Sequence, residues 1–440
     1  MGYKLRKGDS FCGGVHPPFY KTFTEEKGLE SLPPPSLAVF PLQQHVGRPA
    51  SPLVKEGARV LIGEKIGESG GYISLPVHAS ISGIVKEIRP FPHPDGREVL
   101  SVLVESDGED EWVSLFKDRD YSRFSREELC ARVREAGISG MGGASFPSHV
   151  KLNPPKEVDT VIINGCECEP FLTCDDKLMI HYSRKIVEGA RIIVQAVGAD
   201  RCMFAIEKNK PRAIQKMEEA LFHEPNTELV ALKTKYPQGA EKQLIKSLLN
   251  KEVPSGGLPF EVGVVVHNVG TAYAIYEAVV KGIPLIKRVV TVTGPGISEP
   301  RDLWVRLGTP IKQLIEHCGG LKGETGKVII GGPMMGVAQY HLDVPVIKGT
   351  SGILVMERGA EQVERDCIKC SRCVDVCPVR LLPTTIARFV KHRNWEKVKQ
   401  YDALDCIECG SCAYICPSSI PLVQYIKWGK NRIRKSEKKA

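Results

Sequence analysis

The chain has 440 residues, of which 42% are hydrophobic and 25% charged, with a net charge of +8. One hydrophobic core stops growing at about 250 to 300 residues, so two to four domains are expected, and the composition excludes a disordered chain. No apolar run of the roughly 18 residues that span a bilayer is present, and the N-terminal MGYKLRKGDSFCGG lacks the apolar stretch of a secretory signal, so an intracellular chain is expected. In chain order, the first signal is the proline-rich SLPPPSLAVFP, which neither a helix nor a central strand accommodates. VKEGARVLIGEKIGE, PVHASISGIVKEIRP and PHPDGREVLSVLVES then alternate apolar and polar residues around glycines. They predict a small β-barrel or sandwich over about residues 34 to 107.

SREELCARVREAG predicts a helix with Ser125 as its N-cap and Gly137 past its end. From Val158 to about Pro284, strand-like runs (VDTVIIN, CMFAIE, TELVALK, VGVVVHN) alternate with helical ones (LMIHYSRKIVEGARIIVQAVG, PRAIQKMEEALF, AEKQLIKSLL, TAYAIYEAVVKG). Such alternation predicts a parallel sheet covered by helices on both faces. Residues 286 to 350 return to short strands and glycine-proline turns around one helix, IKQLIEHC, and predict a small α+β domain.

Of the 15 cysteines, eight form two runs of C-x2-C-x2-C-x3-C-P: Cys367, Cys370, Cys373, Cys377-Pro378, and Cys406, Cys409, Cys412, Cys416-Pro417. Three close thiolates wrap one face of a 4Fe-4S cube, and the fourth, next to proline, serves the neighbouring cluster. The expected ligand sets therefore cross: Cys367, Cys370, Cys373 with Cys416, and Cys406, Cys409, Cys412 with Cys377. Zinc ribbons use pairs of C-x2-C knuckles without the trailing run, so zinc is the poorer reading. The 28 residues between Cys377 and Cys406 predict a helix pair. Cys12, Cys130, Cys166, Cys168, Cys174, Cys202 and Cys318 are expected to be small buried hydrophobes. The last fourteen residues, KWGKNRIRKSEKKA, are basic, with Glu437 the single acid. They fit either a solvated tail or a docking surface for an acidic partner or an anionic leaflet. Nucleic acid is not expected, because no aromatic interleaving or recognised binding fold accompanies the charge.

Gly137-Ile-Ser-Gly140-Met-Gly142-Gly143-Ala-Ser-Phe146-Pro147 precedes Lys151. Glycines there let backbone N–H groups approach a phosphate, although a connecting loop has the same composition. Asn164 to Pro170, Lys235 to Gly239 and His267 to Thr271 each follow a predicted parallel strand, on the edge where open α/β sheets bind ligands.

On those residues the α/β region resembles the FMN and NADH site of the flavoprotein subunit of respiratory complex I. The resemblance implies that Gly140, Gly142, Gly143 and Lys151 surround the flavin or its phosphate, and that Asn164 binds the flavin. Glu167 and Glu169 would be the catalytic-site carboxylates facing the isoalloxazine and nicotinamide. Tyr236 would line the cavity, Asn268 and Thr271 would hold the ribityl phosphate, and Phe146 would pack beside the dinucleotide. The sequence departs from that pattern at Ser145, usually glycine, at Cys166, usually aspartate, and in KLNPP, which lacks the usual aromatic after the lysine. The cysteine runs resemble the bacterial two-cluster ferredoxin module, and the N-terminal strands resemble lipoyl or biotinyl carrier folds without a carrier lysine at the hairpin tip. From FCGGVHPP through GPGISEPRDLWVRLGTP and GGPMMG, the whole chain resembles the C subunits of Rnf electron-transport complexes.

The fold class that follows is multidomain α/β and α+β: an N-terminal segment with a lipoyl-like barrel-sandwich (1–112), a Rossmann-like parallel α/β domain for FMN and NADH (113–285), a β-grasp domain (286–355), a two-cluster ferredoxin-like domain (356–425) and a basic tail (426–440). The resemblance implies a peripheral electron-input subunit on the cytoplasmic side of the membrane. It would carry FMN and two 4Fe-4S clusters, oxidise NADH, and pass electrons to membrane subunits of the same complex, with ferredoxin as an indirect partner. A relay adaptor without NADH activity, or a soluble flavin-dependent reductase of the cobalamin type, are the alternatives.

Overall fold

The structure is a computed structural model and describes residues 4–115, 120–359 and 363–437; residues 438–440 of the basic tail lie outside the described residues. Four of the strands expected from Val158 onward form a parallel sheet with a fifth that the sequence does not announce. The order across the sheet is Lys4–Lys7, Thr227–Leu232, Arg201–Glu207, Thr160–Gly165, Val264–Asn268, all parallel. Residues Thr160–Gly165 read TVIING because both faces are covered. Val161 and Ile163 join the core under the long helix Cys174–Val197, while Ile162 joins Met203, Val230, Leu244 and Val266 on the opposite face.

From Thr160–Gly165 the chain moves outward through two strands and then returns to the other side of the same strand at Val264–Asn268. That reversal opens a crevice at the carboxyl ends of Thr160–Gly165 and Val264–Asn268. Asn164 and Asn268 face each other in register there.

The helix expected from Leu178 begins four residues earlier, at Cys174, and bends at Tyr182, whose φ of −133° interrupts it. Ser125 caps Arg126–Glu135 with a reciprocal Glu128 bond, as its S-x-x-E spacing requires. The N-terminal strands form two small sheets over Leu37–Ser106, closing on Phe40, Val60, Ile66, Val85 and Val102. The sheet beyond residue 286 has six strands and takes Leu29–Ser31 from the N-terminal segment as an edge, parallel to Arg301–Arg306. Its core is continuous with that of the parallel sheet through Val289, Val290, Leu303 and Ile315.

In the cluster module, Pro383–Lys391 and Trp395–Gln400 are the expected helix pair. The two cysteine runs share a backbone pattern: Lys369, Ser371 and Arg380 of the first, and Glu408, Gly410 and Ser419 of the second, have positive φ at identical offsets. The basic C-terminus does not fray as a solvated tail over its described part. Residues Leu422–Glu437 form a helix whose Leu422, Val423, Ile426 and Ile433 are buried, and it packs on Pro383–Lys391. Apolar burial at helical spacing outweighs the repulsion of its exposed cations. No helix of the described residues is long and apolar enough to cross a membrane.

Candidate electron-transfer site

The glycine loop reaches the sheet crevice because three groups hold it there. The Met141 N–H donates to Thr271 Oγ1 at 2.9 Å, the buried Arg288 guanidinium reaches the Met141 carbonyl at 3.4 Å, and Lys348 Nζ reaches the Gly137 carbonyl at 2.8 Å. Gly142 then lies against Asn268, with 3.4 Å from its missing Cβ to the Asn268 Cβ. Gly143, at φ +104°, has open space where a side chain would stand. An exposed glycine turn over the switch-point crevice, flanked by Asn164, Asn268 and Thr271, fits a flavin phosphate approached by backbone N–H groups.

The amides are not free rotors. Asn268 Oδ1 caps its helix by accepting from Gly270 N at 2.8 Å, and its Nδ2 donates to Asp175 Oδ2 at 2.6 Å. Asn164 donates to the Gly239 carbonyl at 2.9 Å and accepts from Cys166 N at 3.1 Å. Lys151 donates to Glu241 Oε1 at 2.6 Å and to the Val266 carbonyl at 3.0 Å. Phe146 is half-buried, and its carbonyl accepts from Gly140 N at 2.8 Å.

Both candidate carboxylates engage backbone amides. Glu167, at φ 44°, turns its side chain onto the first turn of Cys174–Val197, accepting from Asp175 N at 2.7 Å and Asp176 N at 3.3 Å. Burial pushes its carboxyl up to about 8 against the pull of Lys21. Glu169 accepts from Met334 N at 3.1 Å and Met335 N at 2.8 Å, and burial raises it to about 7 while those two bonds draw it down.

The segment that carries both is fastened by two lysines that sequence reasoning missed. Lys21 Nζ donates to the carbonyls of Glu167 at 3.0 Å and Glu169 at 3.2 Å, and Lys210 Nζ to that of Cys166 at 2.6 Å. Nothing local distinguishes Lys21; its partners lie 146 and 148 residues away. Cys166 and Cys174 are buried as expected, and Cys168 is partly so, its sulfur accepting from Gly239 N at 3.3 Å. Cys12 is exposed, a correction to the expectation of a buried hydrophobe. The backbone of Gly13, rather than the Cys12 side chain, fills the interior position there, with only 2.8 Å between a Gly13 Cβ and the Cys377 carbonyl.

Of the eight cysteines in the two runs, Cys377, Cys406, Cys409 and Cys412 line one cavity, closed by Pro378, Leu381 and Ile426. Burial pushes the Cys377 thiol up and the Cys406 thiol to about 11. Four thiols converging on one cavity fit a metal cluster, which they would hold as thiolates. The Leu381 N–H points at Cys377 Sγ (3.3 Å), and Lys369 N and Glu408 N point at Cys367 Sγ and Cys406 Sγ (3.4 Å each). Cys367 and Cys370 are exposed, and Cys373 and Cys416 lie inward of them. Tyr236, 2% exposed, joins the two regions: it stands beyond the strand Thr227–Leu232, and its hydroxyl donates to the Cys409 carbonyl at 2.8 Å.

Family models match in the order of these modules: an RnfC barrel sandwich hybrid domain at residues 9–109, a Nuo51 FMN-binding domain at 133–277, an SLBB domain at 289–338 and a 4Fe-4S dicluster domain at 366–420. FMN and iron-sulfur clusters are thus the cofactors of its domains. The C subunit of the proton-translocating ferredoxin:NAD(+) oxidoreductase complex of Clostridium ljungdahlii is 47% identical over 97% of this chain and 94% of its own length. The C subunit of the Na(+)-translocating ferredoxin:NAD(+) oxidoreductase complex of Acetobacterium woodii is 44% identical over 90% of this chain and 91% of its own. The C subunit of the ion-translocating oxidoreductase complex of Erwinia tasmaniensis is 43% identical over 96% of this chain, which spans 53% of that longer relative. Near-complete coverage at such identity, with all four modules in order, leaves one assignment: the chain belongs to the family of the C subunits of ion-translocating oxidoreductase complexes of the Rnf type.

Proposed function

We propose that the chain is the NADH-side electron-input subunit of a ferredoxin:NAD(+) oxidoreductase complex, exchanging electrons between NADH and membrane partners through its flavin and two clusters. The observation that carries this reading is the Tyr236 contact. A residue at the ligand edge of the flavin sheet touches the backbone of a cluster cysteine, so the two cofactor regions abut. FMN, when bound, supplies two-electron exchange with the nicotinamide and one-electron exchange with metal centres.

The chain's own residues supply the setting. Gly140, Gly142, Gly143 and Lys151, with Asn268 and Thr271, would hold the phosphate end, and Asn164, Phe146 and Tyr236 the ring end. Glu167 and Glu169, buried and held by backbone amides, would tune nicotinamide binding and flavin potential rather than serve as proton-transferring catalysts. The cavity shared by Cys377, Cys406, Cys409 and Cys412 supports the crossed ligand sets, and the Tyr236 bond to the Cys409 carbonyl supports that cluster lying on the flavin side. The cluster of Cys367, Cys370, Cys373 and Cys416, with two exposed ligands, then faces outward, towards a membrane subunit on the cytoplasmic side.

The test is anaerobic reconstitution with iron, sulfide and FMN, followed by stopped-flow spectra after NADH is added. Bleaching of the flavin band and then of the cluster absorbance is expected. If FMN binds and NADH changes nothing while dithionite still reduces the clusters, the dehydrogenase reading fails and a relay adaptor replaces it.

A further inference from the structure

The loop between Thr325–Ile330 and Val337–Gln339, carrying GGPMMG, leaves its own sheet and enters the junction between flavin sheet and clusters. Its Met334 and Met335 N–H groups both donate to Glu169. A Cβ on Gly332 would stand 2.3 Å from Glu169 Oε2, so the carboxylate seats only against glycine. On the far side, the Met334 carbonyl lies 2.8 Å from the Cβ position of Gly410, which follows Cys409 at φ +77°. Tyr236 reaches the same ligand loop directly: its hydroxyl donates to the Cys409 carbonyl and also lies in hydrogen-bonding contact with the Glu169 side chain, and its backbone is clamped by paired bonds with Val15 of 2.8 and 2.9 Å. Met334, Cys168 and Ile407 pack around the Tyr236–Cys409 contact, so the routes converge on one small apolar cluster.

We propose that Glu169 and Tyr236 are positioning residues for the cluster of Cys377, Cys406, Cys409 and Cys412, Tyr236 by fixing the Cys409 carbonyl and Glu169 through the loop 331–336. The group bound by this loop of the SLBB-type domain is the chain's own Glu169 carboxylate. The proposal rests on the electron-input reading only in that the clusters are present. Hydrogen bonds and backbone dipoles near a cluster set its reduction potential, so loosening either route acts on one cluster and not on both.

The test uses the full chain, reconstituted anaerobically and reduced by dithionite during redox-poised EPR, with C409S identifying the signal of the inner cluster. Tyr236→Phe, which removes one hydroxyl dipole aimed at the ligand loop, is expected to lower the potential of that cluster and leave the other unchanged. Glu169→Gln and Gly332→Ala are expected to alter the same cluster's signal and to speed amide exchange at Met334 and Met335. No change in either cluster across the three variants, or equal changes in both, would overturn the assignment. Should Gly332→Ala not fold, Tyr236→Phe, which loses a single oxygen, still decides the question. Dithionite needs neither FMN nor NADH, so a chain inert to NADH leaves this result intact.

Discussion

Lys348 is 1% exposed and donates to the carbonyls of Pro76 and Gly137 at 2.8 Å each, tying the barrel to the start of the glycine loop. Burial alone lowers its pKa from 10.5 to about 7. Between those values the unfolded chain binds more protons than the folded one, so stability rises with pH, with a slope approaching about 1.4 kcal/mol per pH unit. We expect Lys348→Met to make that rise shallower between about pH 7 and 10, measured as denaturant midpoints of the chain across pH. A slope equal to that of the unaltered chain would mean that other groups carry it. Glu167 shows the same force acting on an acid: burial pushes its pKa up, and the two N–H groups of the helix start favour its charged form.

At the scale of elements, the C-terminal helix is the informative case. Its charge reads as a tail, while positions 422, 423, 426 and 433 read as one apolar face. Trp428 packs edge-on against Trp395 at 5.6 Å, which adds an aromatic contact to the seam between Leu422–Glu437 and Trp395–Gln400. Removing a buried isoleucine side chain costs about 2 to 5 kcal/mol. Ile433→Ala should therefore lower the thermal stability of the cluster module; an unchanged melting curve would mean that the segment frays in solution. The cluster loops illustrate the converse. Cysteine spacing and proline made their chemistry legible, because a cluster needs thiolates at short intervals, and left-handed residues at matching offsets are the backbone's answer to that spacing.

Across the whole molecule, residues 4–31 are divided among neighbouring parts. Lys4–Lys7 edges the flavin sheet, Leu29–Ser31 edges the six-stranded sheet, and between them Gly14 N donates to the Val376 carbonyl at 2.8 Å. The segment Cys12 to Val15 thus lies between Tyr236 and the first cysteine run. Deleting residues 1–16 spares Lys21 and Leu29–Ser31 but removes that strap. We expect the cooperative melt of the full chain to split in two and amide exchange at Tyr236, whose N–H bonds Val15, to accelerate. A single unchanged transition would show that the strap contributes nothing to joining the modules.

The sequence by itself determined the two-cluster module, the parallel sheet with its helices, the Ser125 cap and the glycine loop, because each is written in neighbours a few residues apart: cysteine spacing, hydrophobic period, S-x-x-E. It did not contain the edge strands Lys4–Lys7 and Leu29–Ser31, the lysines Lys21, Lys210 and Lys348, or the seat of Glu169 in the loop 331–336. Those depend on partners that in most cases lie more than a hundred residues away, and a lone strand or a single lysine has no local period to reveal it. The tertiary structure also decided what Glu167 and Glu169 touch in the folded chain: both are buried, Glu167 against the backbone N–H groups that start the helix Cys174–Val197 and Glu169 against those of the loop 331–336.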